Sequence, residues 1–250
     1  MSAAYIIWRR ETRSIFTSFA IYAKLTVWLM AFGWHYMQTL RYGEGDFTPL
    51  AIFWTQSMAL WLPALCAAAT MRRFAGESES GTLETLLTAP VNEFEIVSAK
   101  FWASMTVVAV GLLLSLIGPL IVLPRLAPAL LNDSYSQLLP ILAGTFALLL
   151  QATLWVAIGL WFSLFCQHAV LSAGLTLIVT LILPNIPAIA GRIWTPMTMF
   201  TAAGLPSVRM AGDMASGLFA TAPLICHLAA LGCTLFLTVR LLESRYFKTR

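Results

Sequence analysis

Residues 96–118 read IVSAKFWASMTVVAVGLLLSLIG, with Lys100 near the start and no charge from Phe101 to Gly118. An α-helix rises 1.5 Å per residue, so about 20 apolar residues cross the roughly 30 Å hydrocarbon core of a bilayer. Backbone N–H and C=O groups in lipid must find partners inside the spanning structure, which leaves only helices and closed barrels. A barrel strand needs about 9–11 residues that alternate strictly in polarity. This run is longer and does not alternate, so it is predicted to be a transmembrane helix that continues past Pro119 to residue 123.

Similar runs lie on both sides, at 16–38, 50–70, 138–162, 169–189 and 221–242. The expected fold class is therefore an all-α integral membrane protein with six transmembrane helices, forming a single domain over 1–250. Composition agrees: 59% of the 250 residues are hydrophobic and 10% are charged, against about 45–50% and about 25% in soluble domains. The mean hydropathy is +0.81. One compact core of this size cannot hide so much apolar surface, and lipid must cover it.

The net charge of +4 does not form a nucleic-acid stripe, because the basic residues punctuate the ends of the apolar runs. Alternate loops differ in their content of Lys and Arg, which sets orientation. One side holds Arg9, Arg10, Arg13, Arg72, Arg73, Lys100, Arg240, Arg245, Lys248 and Arg250, and the other only Arg41, Arg125, Arg192 and Arg209. Both termini are accordingly expected in the cytoplasm of a multi-pass protein of the cell inner membrane. Cys66, Cys166, Cys226 and Cys233 lack CxxC spacing and read as packing thiols. No small-residue cleavage site follows the N-terminal arginines, so the N-terminus reads as a retained start and not a removed signal.

Two flanking segments keep two readings each. Residues 1–15 carry Trp8, Arg9, Arg10 and Arg13 and read either as an interfacial helix or as a positive-inside flank. Residues 190–220, rich in Gly, Ala, Met and Pro, read either as short outer helices, re-entrant or not, or as an ordinary outer loop. Lys24 lies inside the first run, where it must snorkel or face protein.

The longest cytoplasmic loop follows residue 70, and its segment 71–95 reads MRRFAGESESGTLETLLTAPVNEFE. Ser80 and Gly81 are placed to begin a short helix with Glu84 in its first turn. Leu83, Leu86 and Leu87 share one face at i, i+3 and i+4, and Pro90 ends the helix. Asn92 and Glu95 have the spacing of a capping box for the next span. The leucines must rest on the membrane or dock on a cytoplasmic partner. Anionic headgroups repel a Glu-rich helix, which favours docking.

The run Arg72-Arg73-Phe74-Ala75-Gly76-Glu77, followed by Gly81-Thr82-Leu83-Glu84-Thr85-Leu86-Leu87-Thr88-Ala89-Pro90-Val91, resembles the coupling-helix signature of type-2 ABC exporter permeases. It is most similar to the gliding-motility-associated branch. Arg10-Glu11, Ser14-Ile15-Phe16, Ser18 and Tyr22 also resemble the opening of that branch, with Phe19 where it has proline and Gly76 where it has an acidic residue. The resemblance implies a permease subunit of an ATP-driven exporter. Arg72, Arg73, Glu77, Gly81, Thr82, Leu83, Glu84, Leu86, Leu87 and Pro90 would then couple it to an ATPase, and Arg9, Arg10, Glu11, Arg13 and Phe16 would form the N-terminal interface. It also implies as partners a cytoplasmic ABC ATPase, a second permease subunit and an auxiliary membrane protein with an extracytoplasmic region. The chain contains no GxxxxGK[ST] loop. It is therefore expected to be no enzyme and to hold no cofactor, with ATP and magnesium on the ATPase.

Rival readings rest on weaker signals. GxSxG, HExxH and paired glutamates within spans are absent, which argues against a membrane-embedded enzyme. His35, His168 and His227 fall at different depths and do not converge on a haem. A secondary transporter or channel subunit independent of an ATPase is the alternative function, with Gln56, Ser57, Gln151, Thr153, Thr176 and Thr180 as its polar candidates. They serve equally well as interhelical hydrogen-bond partners.

Overall fold

The computed structural model describes residues 3–42, 50–82, 91–121, 134–185, 213–214 and 216–248. Its main elements are helical and, among the described residues, no strand occurs. Helix α1 covers Ala3–Thr17, α2 Phe19–Tyr42, α3 Leu50–Thr70 and α4 Ala75–Glu79. Helix α5 covers Glu93–Ser115, α6 Ser134–Phe165, α7 Ala169–Ile182 and α8 Thr221–Lys248, and a 3-10 turn, Leu183–Asn185, follows α7.

Among the described residues, three helical stretches are long and apolar enough to cross a membrane: Glu93–Ile121, Leu139–Phe165 and Thr221–Arg245. There are four if α1 and α2, bent by 70° at their junction, count as one span. The expected second run coincides with α3. The fifth run is shorter than expected, because the α-helix ends at Ile182, and 186–189 lie outside the described residues. Most of 190–220 also lies outside them.

The junction of α1 and α2 has a local cause. Ser18 leaves the helix, its amide donating to the Ile15 carbonyl at 3.1 Å, while the Ile21 amide returns to the Ser18 carbonyl at 3.3 Å. The Tyr22 hydroxyl donates to the Phe16 carbonyl at 2.8 Å, satisfying one of the acceptors that a helix end leaves open. The break forms with phenylalanine where the resembling branch has proline.

Helix α6 is the centre of the bundle and packs on α3, α5, α7 and α8. Trp54, Met58, Leu62 and Cys66 of α3 and Leu148, Ala152, Trp155 and Leu160 of α6 are buried in the core. Burying such side chains contributes about 1.5–3 kcal/mol each on the water-transfer scale, but between lipid-facing helices close packing takes over as the driving force. Gly159 permits the closest approach: a Cβ there would lie 2.9 Å from Thr70 Cβ. On α2, Trp28, Phe32 and Tyr36 stack in sequence at 6.0 and 5.8 Å, and the Trp28 indole N–H donates to the Trp61 carbonyl at 2.9 Å. Ser172, Thr176 and Thr180 form a buried hydroxyl row on α7. Thr176 and Thr180 donate to carbonyls four residues back, so burial leaves those hydroxyls satisfied.

One end of the bundle collects α1, residues 71–82, Lys100, the start of α7 and the end of α8. We call it the charged end.

Candidate functional site at the charged end

The sequence AGESE offers no obvious helix, yet α4 forms there because other elements supply its ends. Phe74 occupies the N-cap position without a side-chain cap of its own. The amides of Phe74 and Ala75 donate instead to the Ser163 hydroxyl at 3.0 and 3.2 Å. That hydroxyl in turn donates to the Met71 carbonyl at 3.3 Å. A capping oxygen normally comes from the N-cap residue itself; here it comes from the end of α6. The other end closes locally: Gly81 has φ of 69°, its amide donates to the Ser78 carbonyl at 3.3 Å, and the Thr82 amide donates to the Glu77 carbonyl at 2.9 Å. This is the paired closure of a Schellman motif, with glycine at the left-handed position.

The middle of α4 is held by ion pairs. Lys100, 1% exposed, points its ammonium at Glu77 Oε1 (2.5 Å), the Arg73 carbonyl (2.8 Å) and Glu11 Oε1 (3.4 Å). Those three acceptors match the three donors of an ammonium group. The Phe74 ring lies 5.1 Å from the same nitrogen, within cation–π range. Arg73 donates from Nη1 to Glu11 Oε2 at 3.3 Å and from Nε to the Ala69 carbonyl at 3.0 Å. Two cations and two carboxylates thus form a neutral tetrad that joins α1, the loop after α3, α4 and α5.

The two carboxylates are perturbed in opposite directions. Burial by itself would raise the Glu11 carboxyl, but the nearby Lys100 and Arg73 charges outweigh it and hold the group below its ordinary value. At Glu77 burial dominates and lifts the carboxyl above its ordinary value, against the pull of Lys100, and the Glu11 charge adds to the rise. A single ammonium shared by two carboxylates fully compensates only one of them.

A fourth connection leaves from the last residue of α4. Glu79 Oε1 accepts the Ala169 amide at 2.9 Å and lies 3.6 Å from His168 Nδ1. Ala169 is the first residue of α7, whose N-cap residue His168 provides no side-chain cap. A carboxylate there answers both an open amide and the positive end of the helix dipole. Three residues of α4 therefore reach other helices directly, Ala75 to α6, Glu77 to α5 and Glu79 to α7, while Arg73 and Lys100 carry the connection on to Glu11 of α1.

Of the residues singled out by sequence, Glu11, Arg73 and Glu77 converge in the tetrad. Gly81 and Thr82 form the closing turn of α4. Arg72 is exposed, Phe16 is half-buried against the core, and Arg9, Arg10 and Arg13 lie on the exposed face of α1. Leu83, Glu84, Leu86, Leu87 and Pro90 lie outside the described residues. Ser80 and Gly81 close α4, and the short helix expected to follow them lies outside the described residues. The capping-box reading is corrected, since Asn92 is the N-cap of α5 but makes no side-chain cap bond. Lys24 faces protein, its ammonium 3.4 Å from the Ala68 carbonyl. Lys100, Ser163 and Glu79 carry the site and were not singled out by sequence. The position of Lys100, a lone charge just inside an apolar run, was the available signal.

Family comparison agrees with this architecture. The model of the ABC-2 family transporter protein matches residues 10–236. The chain belongs to that family and is a permease component of an ABC transporter. No curated protein matches it. Membership implies work alongside an ABC ATPase.

Proposed function

We propose that the chain is the membrane-spanning permease of an ATP-driven exporter, and that the α4 node receives the closing motion of a separate ATPase and passes it into the helices. The observation that carries this reading is the tetrad with its two caps. A helix five residues long has little cohesion alone, but one tied to α5, α6 and α7, and through Lys100 and Arg73 to α1, moves only with them. Residues 83–90 follow α4 directly and supply three leucines as the docking surface. Push on that surface reaches α5 through Lys100, α6 through Ser163 and α7 through Glu79.

In this reading the charged end faces the cytoplasm, as the bias in Lys and Arg supports, and the membrane is the inner membrane. ATP and magnesium bind on the ATPase, and the chain itself performs no hydrolysis. A second permease completes the pore. The resemblance in the N-terminal 100 residues supports the gliding-motility type, with an auxiliary extracytoplasmic subunit.

The test is co-purification of the chain with its cognate ATPase in detergent. The double substitution Leu83→Asp with Leu87→Asp should abolish association and leave membrane insertion intact. Glu77→Gln should keep the ATPase bound while lowering permease-stimulated ATP turnover about ten-fold, the order expected for loss of a charged hydrogen bond. Normal recruitment by the double variant would refute the docking surface.

A further inference from the structure

Helix α1 has two faces with different work. Ile15 is buried, Ile7, Trp8 and Phe16 pack against the core, and Glu11 belongs to the tetrad. The opposite face carries Tyr5, Ile6, Arg9, Arg10, Arg13 and Ser14, all exposed and brought together by helical spacing. Their side chains border one open, solvent-facing gap on this face.

Among the described residues, the charges on this face are little neutralised. Arg10 lies 3.7 Å from Glu11, but that carboxylate already pairs with Arg73 and Lys100. Among the described residues, no ion pair involves Arg9 or Arg13. The 70° bend turns α1 across the direction of α2, so if α2 crosses a bilayer, α1 is oriented to lie along its surface. Tyr5 and Ile6, 44% and 57% exposed, stand among the arginines. Apolar side chains and guanidinium groups on one surface-lying helix match the boundary between acyl chains and headgroups.

We propose that this face of α1 is a binding site for the headgroup phosphate of an anionic phospholipid. The site is separate from the α4 node and does not depend on ATPase docking. Its charge complements the ligand, and its apolar members suit the adjoining chains. Attraction to an anionic surface strengthens about five-fold for each arginine near it.

The experiment reconstitutes the full chain in phosphatidylcholine vesicles with a trace of spin-labelled phosphatidylglycerol or spin-labelled phosphatidylcholine, and reads the ratio of protein-associated label. The unmodified chain should favour the anionic lipid, and the preference should weaken as salt screens the charges. R9Q/R13Q should bring the ratio close to one, whereas R9K/R13K, which keeps the charge, should retain most of it. No preference in the unmodified chain, an unchanged preference in R9Q/R13Q, or loss in both variants would overturn the proposal. Competition by inorganic phosphate at constant ionic strength would also overturn it, because the ligand would then be free phosphate and not lipid.

Discussion

Ser163 and Gly159 lie one turn apart on α6 and act by opposite means, one by supplying an atom and the other by lacking one. Ser163→Ala leaves the buried Phe74 and Ala75 amides without their acceptor. The expected loss of stability is about 1–3 kcal/mol, read by denaturant titration in detergent, with α4 the first segment to gain hydrogen exchange. Gly159→Ala drives a methyl group against Thr70, whose hydroxyl is already fixed by donation to the Cys66 carbonyl at 2.9 Å. Overpacking of this kind costs about 1–3 kcal/mol. Gly33→Ala is the control: a Cβ at Gly33 meets nothing within 4 Å, so the same titration should show no loss.

At the scale of elements, the break between α1 and α2 makes a sharp prediction. Phe19 is 84% exposed and is the first residue of α2, where the amide has no intrahelical acceptor and proline is well tolerated. Phe19→Pro should therefore keep the bend and change the unfolding midpoint little, within about 1 kcal/mol. A large loss of stability would mean that the break depends on the aromatic ring. The long helices were legible in the sequence because their apolar content is the whole signal, as at 50–70, where expectation and helix coincide. Helix α4 was not. Its five residues have no periodicity of their own, and its N-terminal cap lies 89 residues away on α6. Glu77 and Arg73 were visible as a motif, but the partner that joins them, Lys100, read only as a charge marking a span end.

The whole molecule should show the opposite shifts of its two shared carboxylates as a curved dependence of stability on pH. The ordinary value for both groups is 4.5. The folded-state value of Glu77 is raised, so between 4.5 and that value the folded chain binds more protons than the unfolded chain, and stability rises as pH falls. The folded-state value of Glu11 is lowered, so stability present above 4.5 is lost as pH falls through its folded value. The unfolding midpoint should thus pass through a maximum on the acid side of neutrality. Glu77→Gln should remove the rise, and Glu11→Gln should flatten the fall. A midpoint that declines steadily from neutral pH in the unmodified chain would contradict this assignment.

The hydroxyl that α6 lends to the start of α4 also sets a stop on twisting. Side-chain tips stand about 5 Å from a helix axis, so spinning α6 through some 20° about its length would carry Ser163 roughly 2 Å sideways, past hydrogen-bond reach. Both amides would then be lost together. Within that limit α6 is free to lean and carry α4 along, but not to turn beneath it.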